Sequence, residues 1–428
     1  MHGMDDGVLA RIDAIEILKR WMDTDEFPDR MMGGVPPFRR GFVMDLVYTT
    51  LRNLRALDFV VNPLIQREPQ DHALPALWLG ACQILKMPDV AEHAAVHATV
   101  EALKELDGPH ITGFANAVLR NIQRNLDTII SDLEAAPLAV RESHSDEQVE
   151  RWTARYGAER AAAICAWDNE PASVTFVTVP GGPSIPELIK MFAEVDVQTE
   201  AHPGAPDAAI IIPHGSRVEF LPGFAEGQFA IQDPATREAV LLLDVHPGHR
   251  VLDACASPGG KSVQIGLRLE RRGRLVATDC WPDRMPPLEE NISRFRLTGI
   301  TDILHRDARR MTLRDVGGQR FDRILLDVPC SNTGVQRRRA DARWRFTPER
   351  LAILNETQFA ILENTAAMLA DGGRIVYSTC SLEKEENEDI IDAFLERHPQ
   401  FQQVGKSVLV PPDREMDGAF CVALEYNN

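Results

Sequence analysis

Val251-Leu252-Asp253-Ala254-Cys255-Ala256-Ser257-Pro258-Gly259-Gly260-Lys261-Ser262 reads as a strand, a glycine-containing turn and the start of a helix. Glycines in such a turn let backbone N–H groups approach a ligand closely. In open α/β sheets the ligand lies outside the carboxyl ends of the strands. Two nucleotide readings fail on spacing. Gly260-Lys261-Ser262 fits the tail of a phosphate loop, but the loop's first glycine falls on Cys255. The G-x-G-x-x-G fingerprint of dinucleotide folds is also missing.

Outward from this turn, strands are expected over residues 250–254, 274–278, 323–327 and 374–377. Helices are expected after Lys261, at 288–295 and at 348–370. Apolar strands alternating with helices imply a mainly parallel sheet covered on both faces. Asp253, Asp279 and Asp327 stand at strand ends, and Asp307 follows the short apolar pair Ile303-Leu304. One such aspartate is most simply a helix cap. Four at consecutive strand ends favour a ligand site, and S-adenosylmethionine, whose sulfonium is positive, suits acidic ends. Asp279 stands where a carboxylate can hydrogen-bond ribose hydroxyls. Asp307 is placed for the adenine amine or the adjacent loop amides.

Two cysteines also follow strand-like segments, Cys330 in Asp327-Val328-Pro329-Cys330-Ser331-Asn332-Thr333-Gly334 and Cys380 in Tyr377-Ser378-Thr379-Cys380-Ser381. A lone cysteine is usually a small buried hydrophobe. Two in matched positions beside a cofactor crevice fit covalent chemistry on a pyrimidine. Cytosine C5 is a poor nucleophile until a thiolate adds to C6 and makes C5 enamine-like. It then takes a methyl group, loses its proton and releases the thiolate, provided the site favours the thiolate. Asp327 is the candidate to hydrogen-bond the N3/N4 edge of the base. These residues alone do not rank the two thiols.

Upstream, residues 1–140 have helical spacing throughout, as in Leu9, Ile12, Ile15 and Leu18 or Leu77, Trp78, Ala81 and Ile84. Short connections suit a bundle. Residues 141–170 read as linker helices rich in charge and alanine. Residues 171–222 form a small α/β unit, with strands at 173–179 and 208–213 and a helix at 185–192. The seven cysteines are scattered without a C-x-x-C pair, which excludes a disulfide framework and a cysteine zinc site. His93 and His97 form a helix face rather than a metal site, and no metal is expected. No apolar run is long enough to cross a bilayer, and Met1-His2-Gly3-Met4-Asp5-Asp6 lacks a signal-peptide pattern. A cytoplasmic monomer is expected. The net charge of −18 argues against nucleic acid, yet His305–Arg350 carries 12 arginines against 6 acids.

The chain resembles the RNA (cytosine-5) methyltransferases of the NOL/NOP/Sun type. The resemblance rests on Gly223-Phe224-Ala225-Glu226-Gly227 with Ile231-Gln232-Asp233, the Asp253–Ser262 loop, Pro329-Cys330, Ser378-Thr379-Cys380-Ser381 followed by Glu385-Glu386-Asn387-Glu388, and Asp417-Gly418-Ala419-Phe420. It implies a multidomain chain: an all-α NusB-like RNA-binding bundle at 1–140, the linker, an RRM-like unit at 171–222, and a Rossmann-like α/β methyltransferase domain at 223–428. Gly113-Phe114-Ala115-Asn116-Ala117-Val118-Leu119-Arg120 carries the likeness at the N-terminal end.

The same resemblance implies Cys380 as nucleophile and Cys330 as the thiol that assists product release. It implies Cys255, Ala256, Ser257, Pro258, Gly259, Gly260, Lys261, Asp279, Asp307 and Asp327 as the cofactor site, and ribosomal RNA of the small subunit as substrate. Arg337, Arg338 and Arg339, with Arg343 and Arg345, are the expected phosphate contacts. Trp344 reads better as core than as a base-stacking ring. The sequence departs from the family pattern at Ser257, at Val328, which adds bulk beside the base site, and at Asn332, in place of glycine, which requires a left-handed backbone. Those departures keep open a second reading, a weak or inactive RNA-binding or ribosome-assembly protein that retains the fold.

Overall fold

The computed structural model describes residues 5–426 apart from 25, 68, 70 and 213–216. It divides into two compact units. One runs to Pro171 and adds Gln336–Arg345; the other comprises Ala172–Val335 and the chain from Phe346 onward.

The first unit is helical, with its longer helices at Asp6–Asp23, Pro37–Arg52, Ala73–Lys86, Glu92–Asp107 and Thr112–Arg124. Their apolar stripes close over one core that includes Ile15, Leu18, Leu46, Leu77, Leu103 and Leu119. Gly80 allows one tight crossing, since a Cβ there would lie 2.6 Å from a Leu119 methyl. The helices Asp146–Tyr156 and Ala158–Asn169 belong to this unit rather than forming a separate linker. The reason is burial: Trp152 and His144 are fully enclosed, edge to face at 5.7 Å. His93 and His97 lie on an exposed helix face.

The second unit holds two sheets. The smaller contains β1 (Val174–Thr178), β2 (Gln198–Ala201), β3 (Ala208–Ile212) and β4 (Phe229–Ile231) in the order β2-β3-β1-β4, all antiparallel. Pro213, the expected end of β3, lies outside the described residues. Phe176, Phe192 and Phe229 pack edge to face beneath the helix Ile185–Ala193, at ring separations of 4.9–5.8 Å. Because β4 pairs with β1, this layer extends past the expected boundary at 222.

The larger sheet contains β5 (Arg250–Asp253), β6 (Arg274–Asp279), β7 (Thr301–His305), β8 (Phe321–Asp327), β9 (Leu369–Thr379), β10 (Phe401–Leu409) and β11 (Ala419–Tyr426). Its order is β10-β11-β9-β8-β5-β6-β7. The strands β5 to β9 are parallel, and β11 and β10 extend the sheet with antiparallel pairs. Residues such as Val251, Leu275 and Val376 face one apolar layer, and Leu252, Val276 and Tyr377 the other. This two-sided burial explains why the strands read as continuous apolar runs. Among the described residues, no helix is long and apolar enough to cross a membrane.

Candidate active site

From β5 the chain passes outward to β6 and β7, then returns to β8 on the other side of β5. That reversal opens a crevice at the carboxyl ends of β5 and β8, where open α/β sheets bind ligands. The turn after β5 lies in it. Gly259, at φ +105°, precedes the helix Gly260–Arg268 in a conformation open to glycine, and a Cβ there would lie 3.0 Å from a Leu288 methyl.

The strand-end aspartates differ in state. Asp253 is fully buried and accepts from Ser262 Oγ at 2.6 Å, while its other oxygen lacks a partner among the described residues. Burial raises its pKa to about 7 against the Ser262 bond, and Asp327 and Asp279 add to the rise. Asp279 accepts from Trp281 N at 3.0 Å and Ser257 N at 3.3 Å. Asp307 is engaged by the Arg309 side chain at 2.8–3.1 Å, which lowers its pKa. Asp327 pairs with Lys261 Nζ at 2.6 Å. Burial opposes the Lys261 charge, but the Asp327 carboxylate outweighs it and raises the pKa. Cys255, half-buried among these carboxylates, stays a neutral thiol because burial and the nearby acids raise its pKa well above the ordinary range. Carboxylates close enough to perturb one another suit a cationic ligand. With the glycine cradle, they are a donor set that fits S-adenosylmethionine.

The two thiols meet. β8 and β9 are in register with Asp327 opposite Ser378, so the loops leaving them start side by side. Cys330 Sγ and Cys380 Sγ are 3.3 Å apart, both free and half-buried. The hydrogen bond to Cys380, then burial, raises the Cys330 pKa well above the ordinary thiol range. Cys330 is therefore held as the protonated partner. Gly334 N donates to Cys380 O at 2.9 Å, and Gly418 N donates to Gly334 O at 2.7 Å. A Cβ on Gly334 would lie 2.7 Å from Cys380 O, so this approach needs glycine.

Several residues that frame the thiols carried no assigned role in the sequence. Glu386 is fully buried and accepts from Ser331 N and Gln358 Nε2, both at 2.9 Å, and from the hydroxyls of Ser331 and Ser381. Asn387 accepts from Thr379 Oγ1 at 2.6 Å and donates to Ser381 O at 2.8 Å. The stretch Glu385-Glu386-Asn387-Glu388 was a visible signal; Gln358, inside the helix Pro348–Ala366, had none. Ser257 Oγ donates to Arg284 O at 2.8 Å. Val328 is buried in the apolar core, and Asn332 has the expected left-handed backbone at φ +62°.

The arginine segment requires a correction. Arg343 is buried and donates to Arg52 O, Ser143 O, Asn169 Oδ1 and Asp168 O at 2.8–3.0 Å. Arg337 is buried with its guanidinium 3.9 Å from the centre of the Trp167 ring. Arg345 pairs with Asp341 at 3.3 Å and donates to Glu26 O at 2.5 Å. All three are committed inside the helical unit, so they do not fit the expected role of phosphate ligand. Arg338 is half-buried; Arg339 is exposed and pairs with Asp29 at 3.0 Å. Trp344 is half-buried against the helical core, donating its Nε1 proton to Leu51 O at 2.7 Å.

A doubly wound sheet with an acidic switch-point crevice and two opposed thiols defines a methyltransferase-type α/β enzyme domain. Comparison with known proteins narrows this. Residues 240–424 match the family 16S rRNA methyltransferase RsmB/F, and residues 9–124 match the NusB family. Ribosomal RNA small subunit methyltransferase B of Vibrio cholerae serotype O1 is 32% identical over 91% of this chain and 90% of its own length. The crystal structure of PH0851 superposes with a TM-score of 0.81 over 99% of both chains at 22% identity. NSun6 from Pyrococcus horikoshii, solved with SFG, an S-adenosylmethionine analogue, has a TM-score of 0.58 over 67% of this chain and 99% of its own at 19% identity. The chain belongs to the 16S rRNA methyltransferase RsmB/F family, with S-adenosylmethionine as cofactor.

Proposed function

We propose that this chain methylates C5 of a cytosine in small-subunit ribosomal RNA through a covalent Cys380 adduct. The observation that carries this reading is the 3.3 Å approach of Cys330 and Cys380 at the carboxyl ends of adjacent strands. In this reading Cys255 to Lys261, Asp279, Asp307 and Asp327 hold the cofactor. When bound, S-adenosylmethionine supplies an electrophilic methyl group.

The chain's own residues do the rest. Cys380 Sγ, as thiolate, forms a bond to C6 of the base, and the electron pair moves to C5. Lys261, kept charged by Asp327, lies close enough to interact with Cys380 and favours the anion. Asp327 retains an oxygen for the N3/N4 edge of the base. After C5 is methylated, its proton is removed, the C5–C6 double bond re-forms and the C6–S bond breaks. Cys330, held protonated beside the departing sulfur, assists that release. The base must be unpaired or unstacked to reach the thiols. Arg338 and Arg339 remain the phosphate contacts of this reading, and the enzyme acts as a monomer in the cytoplasm.

RNA carrying 5-azacytidine or 5-fluorocytidine at the target tests the proposal. The wild-type chain should form a denaturant-resistant adduct, C380A none, and C330A should accumulate adduct even on ordinary cytidine. Absence of a Cys380-dependent adduct on 16S rRNA would overturn it in favour of a non-catalytic ribosome-assembly role.

A further inference from the structure

Asn332 stands two residues after Cys330 where the family pattern has glycine, and its side chain reaches both thiol loops. Its Nδ2 donates to Cys330 O at 3.0 Å. Its Oδ1 accepts from Cys380 Sγ at 3.3 Å. The first bond fixes the second: a carbonyl oxygen only accepts, so the amide nitrogen must face Cys330 O and the amide oxygen must face the sulfur. The backbone here is left-handed, at φ +62°, and asparagine is among the few non-glycine residues that adopt it readily.

We propose that Asn332 is a positioning residue that orients the resting Cys380 thiol, drawing its proton toward the amide oxygen. The donors then run in one direction, from Cys330 S–H to Cys380 Sγ and from Cys380 S–H to Asn332 Oδ1. This polarity assigns the two chemically identical thiols different roles before substrate arrives. An amide oxygen bonds a thiol and repels a thiolate. Leaving that state requires the amide to turn, offering Nδ2–H to the sulfur and giving up Cys330 O. The other titratable groups around the sulfur are Cys330, the Lys261–Asp327 pair and Glu386 behind Cys330. None of them supplies an acceptor fixed in this orientation.

The inference rests on Cys380 being the nucleophile, but its test needs no RNA, so it can fail separately from the adduct experiment. The rate of Cys380 alkylation by iodoacetamide is followed against pH by peptide mass spectrometry, in the full chain. N332G fits the left-handed backbone and removes only the amide. Its profile should rise at lower pH than that of wild type, with about fivefold faster labelling at neutral pH, the worth of one hydrogen bond to the thiol. N332A also removes the amide oxygen, at some cost in backbone strain at φ +62°, and should shift the profile in the same direction. Circular dichroism identifies any variant that fails to fold, and the other then decides. A purely structural asparagine would leave both profiles on the wild-type curve; that result, or a shift of N332G to higher pH, overturns the proposal.

Discussion

Among the strand-end aspartates, Asp253 is the one that folding holds least willingly as an anion. Its pKa, raised by burial to about 7, lies above the ordinary value of 3.8, so the folded state binds a proton that the unfolded chain releases. Stability contributed by this group is present below about pH 4 and lost as pH rises toward 7. At about 1.4 kcal/mol per unit, the swing is a few kcal/mol at most. D253N keeps an acceptor for Ser262 and removes the charge. The gap in Tm between D253N and wild type should therefore widen in favour of the variant between pH 4.5 and pH 8. An unchanged gap would show that Asp253 does not titrate in that window. The aspartates and thiols were legible in the sequence because chemistry-bearing residues at strand ends fall into a pattern. Arg343 was not, because its four acceptors lie 174 to 291 positions away in sequence. A run of arginine gives no local sign of such partners.

Strands that are buried on both faces were legible for the same reason that they are stable: β5, β6 and β8 are apolar runs. The hairpin β10–β11 was harder to read. β10 is mostly exposed, with Gln402, Gln403 and Lys406 on its surface, and only its pairing with β11 makes it a strand. The same dependence on distant partners hides the junction around Glu386. Four donors from the loop after β8, the loop after β9 and the helix Pro348–Ala366 converge on this one carboxylate. Burial pushes its pKa up, against the hydrogen bonds from Ser331, Ser381 and Gln358. E386A leaves those donors unpaired in the interior, which costs about 3 kcal/mol or more. Urea unfolding should show that loss. Below the transition, adduct formation should also fall, because the loops that carry the two sulfurs lose their shared anchor. Full adduct yield in folded E386A would mean that the sulfurs are positioned without it.

For the molecule as a whole, a net charge of −18 has to be reconciled with an RNA substrate. The arginine-rich segment does not resolve this, because the structure gives most of those guanidiniums to protein acceptors. Residues 336–345 leave the loop that follows Cys330 and cluster with the helical unit, held by Arg343. Burial lowers the pKa of Arg343 only to about 10, so it is charged at neutral pH and its loss strands four acceptors. R343A should then lower the urea midpoint by an amount equivalent to about 3 kcal/mol. It should leave the salt dependence of RNA binding unaltered under conditions where the chain stays folded. R339A should do the reverse. Arg339 is exposed beside Asp29, its loss costs little stability, and one phosphate contact fewer flattens the slope of log K against log salt by about 0.7–0.9. The pair of measurements separates a cation that builds the protein from one that meets the RNA. A flattened salt slope in a fully stable R343A would return that residue to the RNA surface.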